Sequence, residues 1–441
     1  MNPVAPDRPD GVVLLPGERL LGVREVDLVD PPALPDALGE LCKLTGVERP
    51  EEIGENGPAI AARVTDANAG APELRLYEVV FGRDSLIAAL FVADLFPRLL
   101  EATLLHLARL QGTVYDARRE EEPGRIAHEI REDDPDGVWG FPYYGSVDAT
   151  ALFVLGAQRA IARRPAFRGE IERPLAAALA WLLRKLHEDE LGLLSFKRAN
   201  PHGLENQVWK DSWDSMSHAD GTLCNHGAPV ASLEAQALVY DALLAAGEVE
   251  VAARLARAVE RHFWIDDGEG GFYAIGVDRD PAGGAPRSLA TRASNMGWLL
   301  RSRLLDGRDD RRRRIVELLF SDELLADAGI RTLSSRETRF RARSYHNGTV
   351  WPHDNHMIAL GLAGSGFRDE AEEVHRRLRA TWAATHRYPE FVAGTVNGAD
   401  PVTRRVVDIY DEVNGRPNRL EQPPQEIIAW TVAAAVAIEH G

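Results

Sequence analysis

The sequence predicts an all-α fold, an (α/α)6 toroid of six inner and six outer helices with a short N-terminal extension. Helix-length apolar segments alternate with amphipathic ones, the alternation recurs six times, and the unusual polar residues gather at the N-termini of the apolar segments. An apolar helix must be covered on all sides, whereas an amphipathic one keeps a wet face. A closed ring of apolar helices inside a ring of amphipathic ones meets both demands, as a repeat of helical hairpins without strong identity between repeats.

The elements follow in order. Residues 1–75 form the extension, with possible hairpin strands at Gly11–Leu15 and Leu20–Val29, a helix over Pro32–Val47 and a loop over Gly54–Glu73. Residues 76–441 form the main domain. Its helix pairs are Ser85–Phe96 with Arg98–Gln111, Asp148–Arg163 with Ile171–Glu188, Ser232–Ala246 with Glu248–Phe263, Thr291–Leu305 with Arg311–Leu325, and His353–Leu362 with Arg368–Thr385. Pro424–Glu439 is the sixth inner helix, and Pro32–Val47 is its outer partner, closing the ring from the N-terminal side.

Parallel inner helices open all six N-termini on one face. That face collects Gly82-Arg83-Asp84-Ser85, Tyr143 to Asp148, Ser232 to Gln236, Ser294-Asn295, Trp351 to Asn355 and Gln422 to Gln425. Ser146, Ser232 and Pro352 suit ordinary caps and first-turn positions. Capping does not explain the acids and aromatics, which describe a polar funnel.

Composition narrows what enters it. The chain has 441 residues, 45% hydrophobic and 27% charged, with a net charge of −17. Nucleic acid or an anionic membrane needs a basic face, so neither is an expected partner. Arg311–Arg314 reads as the solvated start of an outer helix, and Arg118–Glu122 as a solvent loop. Two cysteines, Cys42 and Cys224, make no disulfide framework and suit a reducing cytoplasm. The first residues show no apolar signal segment, and no run of about 18 apolar residues indicates a membrane span. The sequence is silent on oligomeric state.

The densest chemistry lies in Gln207–Gly221, which contains Trp209, Lys210, Asp211, Trp213 and Asp214. Indole beside carboxylate suits a sugar site, because the ring covers a pyranose face while acids handle hydroxyls and protons. Trp209 and Trp213 also suit core positions one helical turn apart. Glycoside hydrolysis needs two carboxyl groups astride one bond. Asp211 and Asp214 are the candidate donors. Glu129, Glu234, Asp354, Glu390, Asp411, Glu412 and Glu421 are candidates for the second group, and spacing does not choose among them. The other candidate sugar contacts are Trp139, Tyr143, Asp148, Trp209, Lys210, Trp213, Glu234, Gln236, Asn347, Trp351, His353, Asp354 and Gln425. His346, His353, Asp354 and His356 also present a possible metal constellation, but sugar hydrogen bonding and capping explain them without one. No metal or organic cofactor is expected.

Several motifs resemble the bacterial amylo-α-1,6-glucosidase and glycogen-debranching-like glycosidases, relatives of glucoamylases and processing α-glucosidases. They are Phe81–Leu86, Glu122–Arg131, Tyr144–Thr150, Trp209–Ser212, Tyr345–Asn355 and Tyr388–Phe391, and they span roughly residues 78–440. The resemblance implies an exo-acting, inverting hydrolase of α-linked glucoside-type sugars. In it Arg83 and Asp84 grip the terminal sugar, Asp211 is the general acid and Glu390 the general base. Related families place the acid in Gly-Trp-Asp, which Ser212-Trp213-Asp214 resembles, and some carry the base before the last helix, where Glu412 and Glu421 stand. The short extension, set against the long N-terminal β-domain of debranching relatives, favours an oligosaccharide or small glycoside. Other chemistries known on such toroids are sugar isomerisation or epimerisation, polysaccharide lysis and sugar binding without turnover.

Overall fold

The computed structural model describes residues 19–20, 36–54, 60, 79–131, 137–396, 409–410 and 427–441. Its helices are α1 (Ala37–Thr45), α2 (Gly82–Phe91), α3 (Pro97–Arg109), α4 (Asp148–Arg163), α5 (Arg168–Glu188), α6 (Leu233–Ala245), α7 (Val249–Phe263), α8 (Asp309–Leu319), α9 (Pro352–Gly364), α10 (Arg368–Thr385) and α11 (Ala429–His440). A 3-10 helix, Ser294–Leu300, lies between α7 and α8.

Among the described residues the inner ring runs α2, α4, α6, the 3-10 helix, α9 and α11, and α11 returns to pack on α2. Each inner helix carries its outer partner: α3 on α2, α5 on α4, α7 on α6, α8 on the 3-10 helix, α10 on α9 and α1 on α11. The fold is therefore an (α/α)6 toroid, closed by α1 as expected. The burial follows the pattern that predicted it. Every residue of α2 is buried, whereas α7 buries only Ala252, Leu255, Val259 and Phe263, one stripe at helical spacing. Asp36 starts α1 by accepting from the backbone N–H of Gly39 at 2.9 Å, and Gly46 ends it at φ 68°.

Two expectations are corrected. The fourth inner helix is not continuous over Thr291–Leu305 but splits into Ser294–Leu300 and a turn at Arg303–Leu305. Arg301 ends the first piece, and Ser302 caps the second, accepting from Leu304 N at 3.1 Å. The Arg118–Glu122 run is not a solvent loop. Glu120 is buried and accepts from Ala199 N and Asn200 N at 2.7 and 2.8 Å, while Glu121 accepts from Thr113 N at 2.8 Å. These acids satisfy backbone donors that the loop would otherwise bury unpaired. Of the expected N-terminal hairpin strands only Leu20 is described, and Arg19–Leu20 pairs antiparallel with Ile409–Tyr410. The remaining residues of that hairpin, most of the Gly54–Glu73 loop, and Asp411, Glu412, Glu421 and Gln425 lie outside the described residues.

Short strands organise the N-terminal face of the ring. Val80–Phe81 leads directly into α2 and pairs with Glu129–Ile130, placing Glu129 opposite Phe81. Val230–Ser232 leads into α6 and lies in a four-stranded antiparallel sheet with Ser195–Phe196, Gly276–Arg279 and Pro286–Leu289. Gly82, at the junction of strand and α2, donates its N–H to His128 O at 2.8 Å, and a Cβ there would sit 2.0 Å from Ala127 O. Gly82→Ala is therefore expected to destabilise the protein by about 2 kcal/mol or more through forced separation of the two strands. Urea unfolding measures this, and a change below about 0.5 kcal/mol would show that the close approach is not needed. Among the described residues no helix is long and apolar enough to cross a membrane.

Candidate active site

The site is built around Arg83, in the first turn of α2 and 3% exposed. Its guanidinium donates to Asp211 Oδ2 at 3.0 Å and pairs with Asp84 Oδ1 at 3.4 Å and Asp148 Oδ2 at 3.5 Å. One cation thus gathers carboxylates from α2, from the start of α4 and from the tryptophan-rich loop. Ser146 fixes Asp148 by donating to Oδ1 at 2.5 Å. Glu129 pairs with Arg131 and is held beside this cluster by the strand pairing.

The cluster carries more acid than one guanidinium neutralises. Burial raises the Asp211 carboxyl, with Arg83 opposing the rise. Burial pushes Asp84 up to about 7 against the pull of Arg83, and the neighbouring Asp211 and Asp148 push the same way. Glu129 is also pushed up to about 7, by burial first, with Arg131 opposing and the Asp211 and Asp84 charges adding. Carboxyl groups that keep a proton near neutrality are what general-acid chemistry requires.

Asp214 has different company. Its Oδ2 accepts from Asn347 Nδ2 at 3.0 Å and lies 3.6 Å from the Arg339 guanidinium. Arg339 also stands 5.9 Å over the Trp213 ring. The two aspartates of the loop are therefore sorted, Asp211 to Arg83 and Asp214 to Asn347 and Arg339.

Trp209 is 1% exposed and sealed by other rings. It stacks on Trp298 at 6.2 Å and meets the edges of His346, Trp351 and His353 at 5.5, 5.7 and 5.0 Å. The core reading of this tryptophan fits its burial, although the residue lies in a loop. Trp351 donates to Tyr345 O at 2.8 Å and stacks on Phe391. His353 is fully buried, lies 3.8 Å face to face with Trp430, and is kept neutral by burial and by the Arg83 charge. His346 Nδ1 is 2.8 Å from Ser212 Oγ, beside Asp211 in sequence.

Glu390 is buried, and its Oε1 accepts from Tyr345 Oη at 2.6 Å. Tyr345 and His346 rings are 4.3 Å apart, so Glu390 joins the Trp209–Ser212 loop through a chain of side chains. At the rim, Trp139 is half-buried, donates to His202 O at 2.8 Å and lies 4.4 Å from the buried Tyr143 ring, whose hydroxyl accepts from Leu204 N at 2.9 Å. Gln236 departs from its expected role. It spends its amide on backbone, accepting from Leu194 N and donating to Leu194 O and Ser232 O, all at 2.9 Å. Its place in the fold is a clamp between α6 and the preceding strand. Lys210, Glu234 and Asp354 are fully buried behind Trp209.

His346, His353 and His356 do not converge on one point. His356 Nδ1 instead meets His375 Nε2 of α10 at 3.1 Å. Among the described residues no group of three or more His, Cys, Asp and Glu is placed to hold a metal ion. Sequence reasoning missed Arg339, Tyr345 and Ser212 as neighbours of the candidate acids. For Tyr345 the signal was present, since it opens the Tyr345–Asn355 motif.

The comparisons with known proteins agree on the fold. Residues 241–401 match the family model of the mannosylglycerate hydrolase MGH1-like glycoside hydrolase domain. No curated protein matches the chain. Among solved structures, a GH63 mannosylglycerate hydrolase from Thermus thermophilus in complex with Tris is 15% identical, with a TM-score of 0.59, covering 92% of this chain and 99% of its own. The same hydrolase in complex with glucose is 16% identical, with a TM-score of 0.58 and the same coverage. A glycosidase variant in complex with glucose is 15% identical, with a TM-score of 0.56, covering 91% of this chain and 94% of its own.

Proposed function

We propose that this protein is an exo-acting, inverting glycoside hydrolase that removes a terminal α-linked hexose from a small glycoside or oligosaccharide. The observation that carries the reading is Asp211, a carboxyl raised by burial, 3.0 Å from Arg83 within a cluster of acids on the N-terminal face of a closed toroid. The glycoside hydrolase match over residues 241–401 supports the same class.

In this reading Arg83, Asp84 and Asp148 bind hydroxyls of the terminal sugar. Asp211 gives its proton to the departing glycosidic oxygen. Glu390, kept as an acceptor by the Tyr345 hydroxyl, takes a proton from the water that attacks the anomeric carbon on the opposite face. Inversion needs room for that water, with the two carboxyl groups roughly 6.5–9.5 Å apart. The pairing of Asp214 with Asn347 supports Asp211 over Asp214 as the acid.

The leaving group in this reading is a small acid or polyol. Two similar structures are mannosylglycerate hydrolases, and Arg339 stands beside Trp213 at Asp214, bringing a cation to the loop that carries the acid. The test is a panel of α-glucosyl and α-mannosyl disaccharides, glycerates and glycerols followed by proton NMR. Release of hexose as the inverted anomer, fastest from the glycerates, is expected. Release with retention would overturn the mechanism, and an isomerised or unsaturated sugar would overturn the reaction class.

A further inference from the structure

Behind Trp209 lies a second polar chamber, separate from the Arg83 cluster. Lys210 enters it from the loop, and its ammonium donates to Thr332 O at 2.6 Å and stands 5.1 Å from the Trp209 ring. Glu234 enters from the first turn of α6, its Oε2 accepting from Asn295 Nδ2 at 2.5 Å. Asp354 enters from the first turn of α9, its Oδ1 accepting from Trp298 Nε1 at 2.6 Å. All three charged side chains are fully buried, and Trp298 is the ring stacked on Trp209. The chamber thus touches Trp209 twice, through the Lys210 ammonium and through the indole that Asp354 holds.

Neighbouring side chains of the loop leave in opposite directions, Lys210 toward Thr332 and Asp211 toward Arg83. The backbone between them is pinned, since Lys210 O accepts from Ser215 Oγ at 2.5 Å and Ser212 O from Asn206 Nδ2 at 2.7 Å. Both side chains thus leave one fixed segment, and a shift of that segment moves both. Burial of three charges is costly, and a wholly apolar core would be at least as stable. The charges therefore call for a role beyond stability. Burial raises both carboxyls and lowers Lys210 to about 8, while the lysine and the acids each favour the charged form of the other.

We propose that Lys210, Glu234 and Asp354 are positioning residues, a sealed charge cluster that fixes Trp209 and aims the Asp211 carboxyl at Arg83 without touching the sugar. This deepens the glycosidase reading and rests on it. A sugar contact loses binding when removed, whereas a positioning group loses rate at nearly constant binding.

The test uses Lys210→Met combined with Glu234→Gln, which removes one charge of each sign; burial then holds the remaining Asp354 carboxyl toward its protonated, neutral form. Melting temperature, near-ultraviolet circular dichroism of the stacked Trp209–Trp298 pair, kcat and KM are measured beside wild type. The expected result is a folded protein with an altered tryptophan band, kcat lowered about 100-fold, as a misplacement of about 1 Å produces, and KM within about threefold. A kcat within about threefold of wild type overturns the proposal, as does a raised KM with kcat kept, which marks a sugar contact. If the double variant does not fold, Glu234→Gln alone is read by the same criteria. If wild type cleaves none of the panel, the glycosidase reading fails separately and the dichroism decides. An unchanged band in the folded variant then overturns the positioning role, and a lost band supports it.

Discussion

Asp211→Asn is expected to lower kcat by about 10³-fold or more, equivalent to about 4 kcal/mol of transition-state stabilisation, with the melting temperature kept near wild type. The amide is isosteric and still accepts the 3.0 Å bond from Arg83, so the cluster loses a proton donor and no packing. Glu390→Gln is expected to lose rate to a similar degree, because an amide cannot take a proton from water. A substrate whose leaving group departs without protonation, such as a glycosyl fluoride, should restore much of the rate to the Asp211 variant and not to the Glu390 variant. Equal recovery in both, or a wild-type rate in either, would reverse or remove these roles. Asp214→Asn serves as the comparison and should keep far more activity.

Arg83→Met is expected to cost about 3–5 kcal/mol of stability at neutral pH, the usual consequence of stripping the partner from buried acids. Asp84, Asp148 and Asp211 would remain without the cation that pairs with all three. The deficit should depend on pH in a definite direction. Asp84 and Glu129 titrate at about 7 in the folded protein, above the values of about 3.9 and 4.3 of an unfolded chain. Between about pH 4 and 7 the folded state then holds more protons than the unfolded one, so these groups contribute stability in acid that is lost as pH rises. Without Arg83 the Asp84 carboxyl climbs further and the loss steepens. Urea unfolding should show a large deficit at pH 7.5 and a smaller one at pH 4.5. A deficit that is the same at both would mean that the acids do not depend on Arg83.

The ring was legible because its signal is redundant. A segment such as α2, with no polar face anywhere, admits only a fully covered position, and six of these between amphipathic segments leave few arrangements. Even the closing role of α1 followed from counting. The gathering of polar residues at helix starts also located the cluster, since Arg83, Asp84 and Asp148 all belong to first turns. What could not be read was pairing across distance. Nothing near Arg83 announces Asp211, which lies 128 positions away and is sorted from Asp214 only by the fold. Trp209 looks like a sugar platform in sequence because indole beside acid does not reveal which side is wet. Gln236 and Glu120 were misread for a related reason, since an amide or acid that satisfies buried backbone has the same letter as one that faces a ligand.

The contact between α11 and α2 has a consequence for how the molecule comes into being. Both neighbours of α11 in the inner ring, α9 and α2, are made before it on the ribosome, and α1 too must wait for it. Until α11 emerges, the flank of α2 that it covers stays bare and apolar, a surface that invites association with other chains. Closure joins segments at opposite ends of the described chain, and such distant joins form slowly.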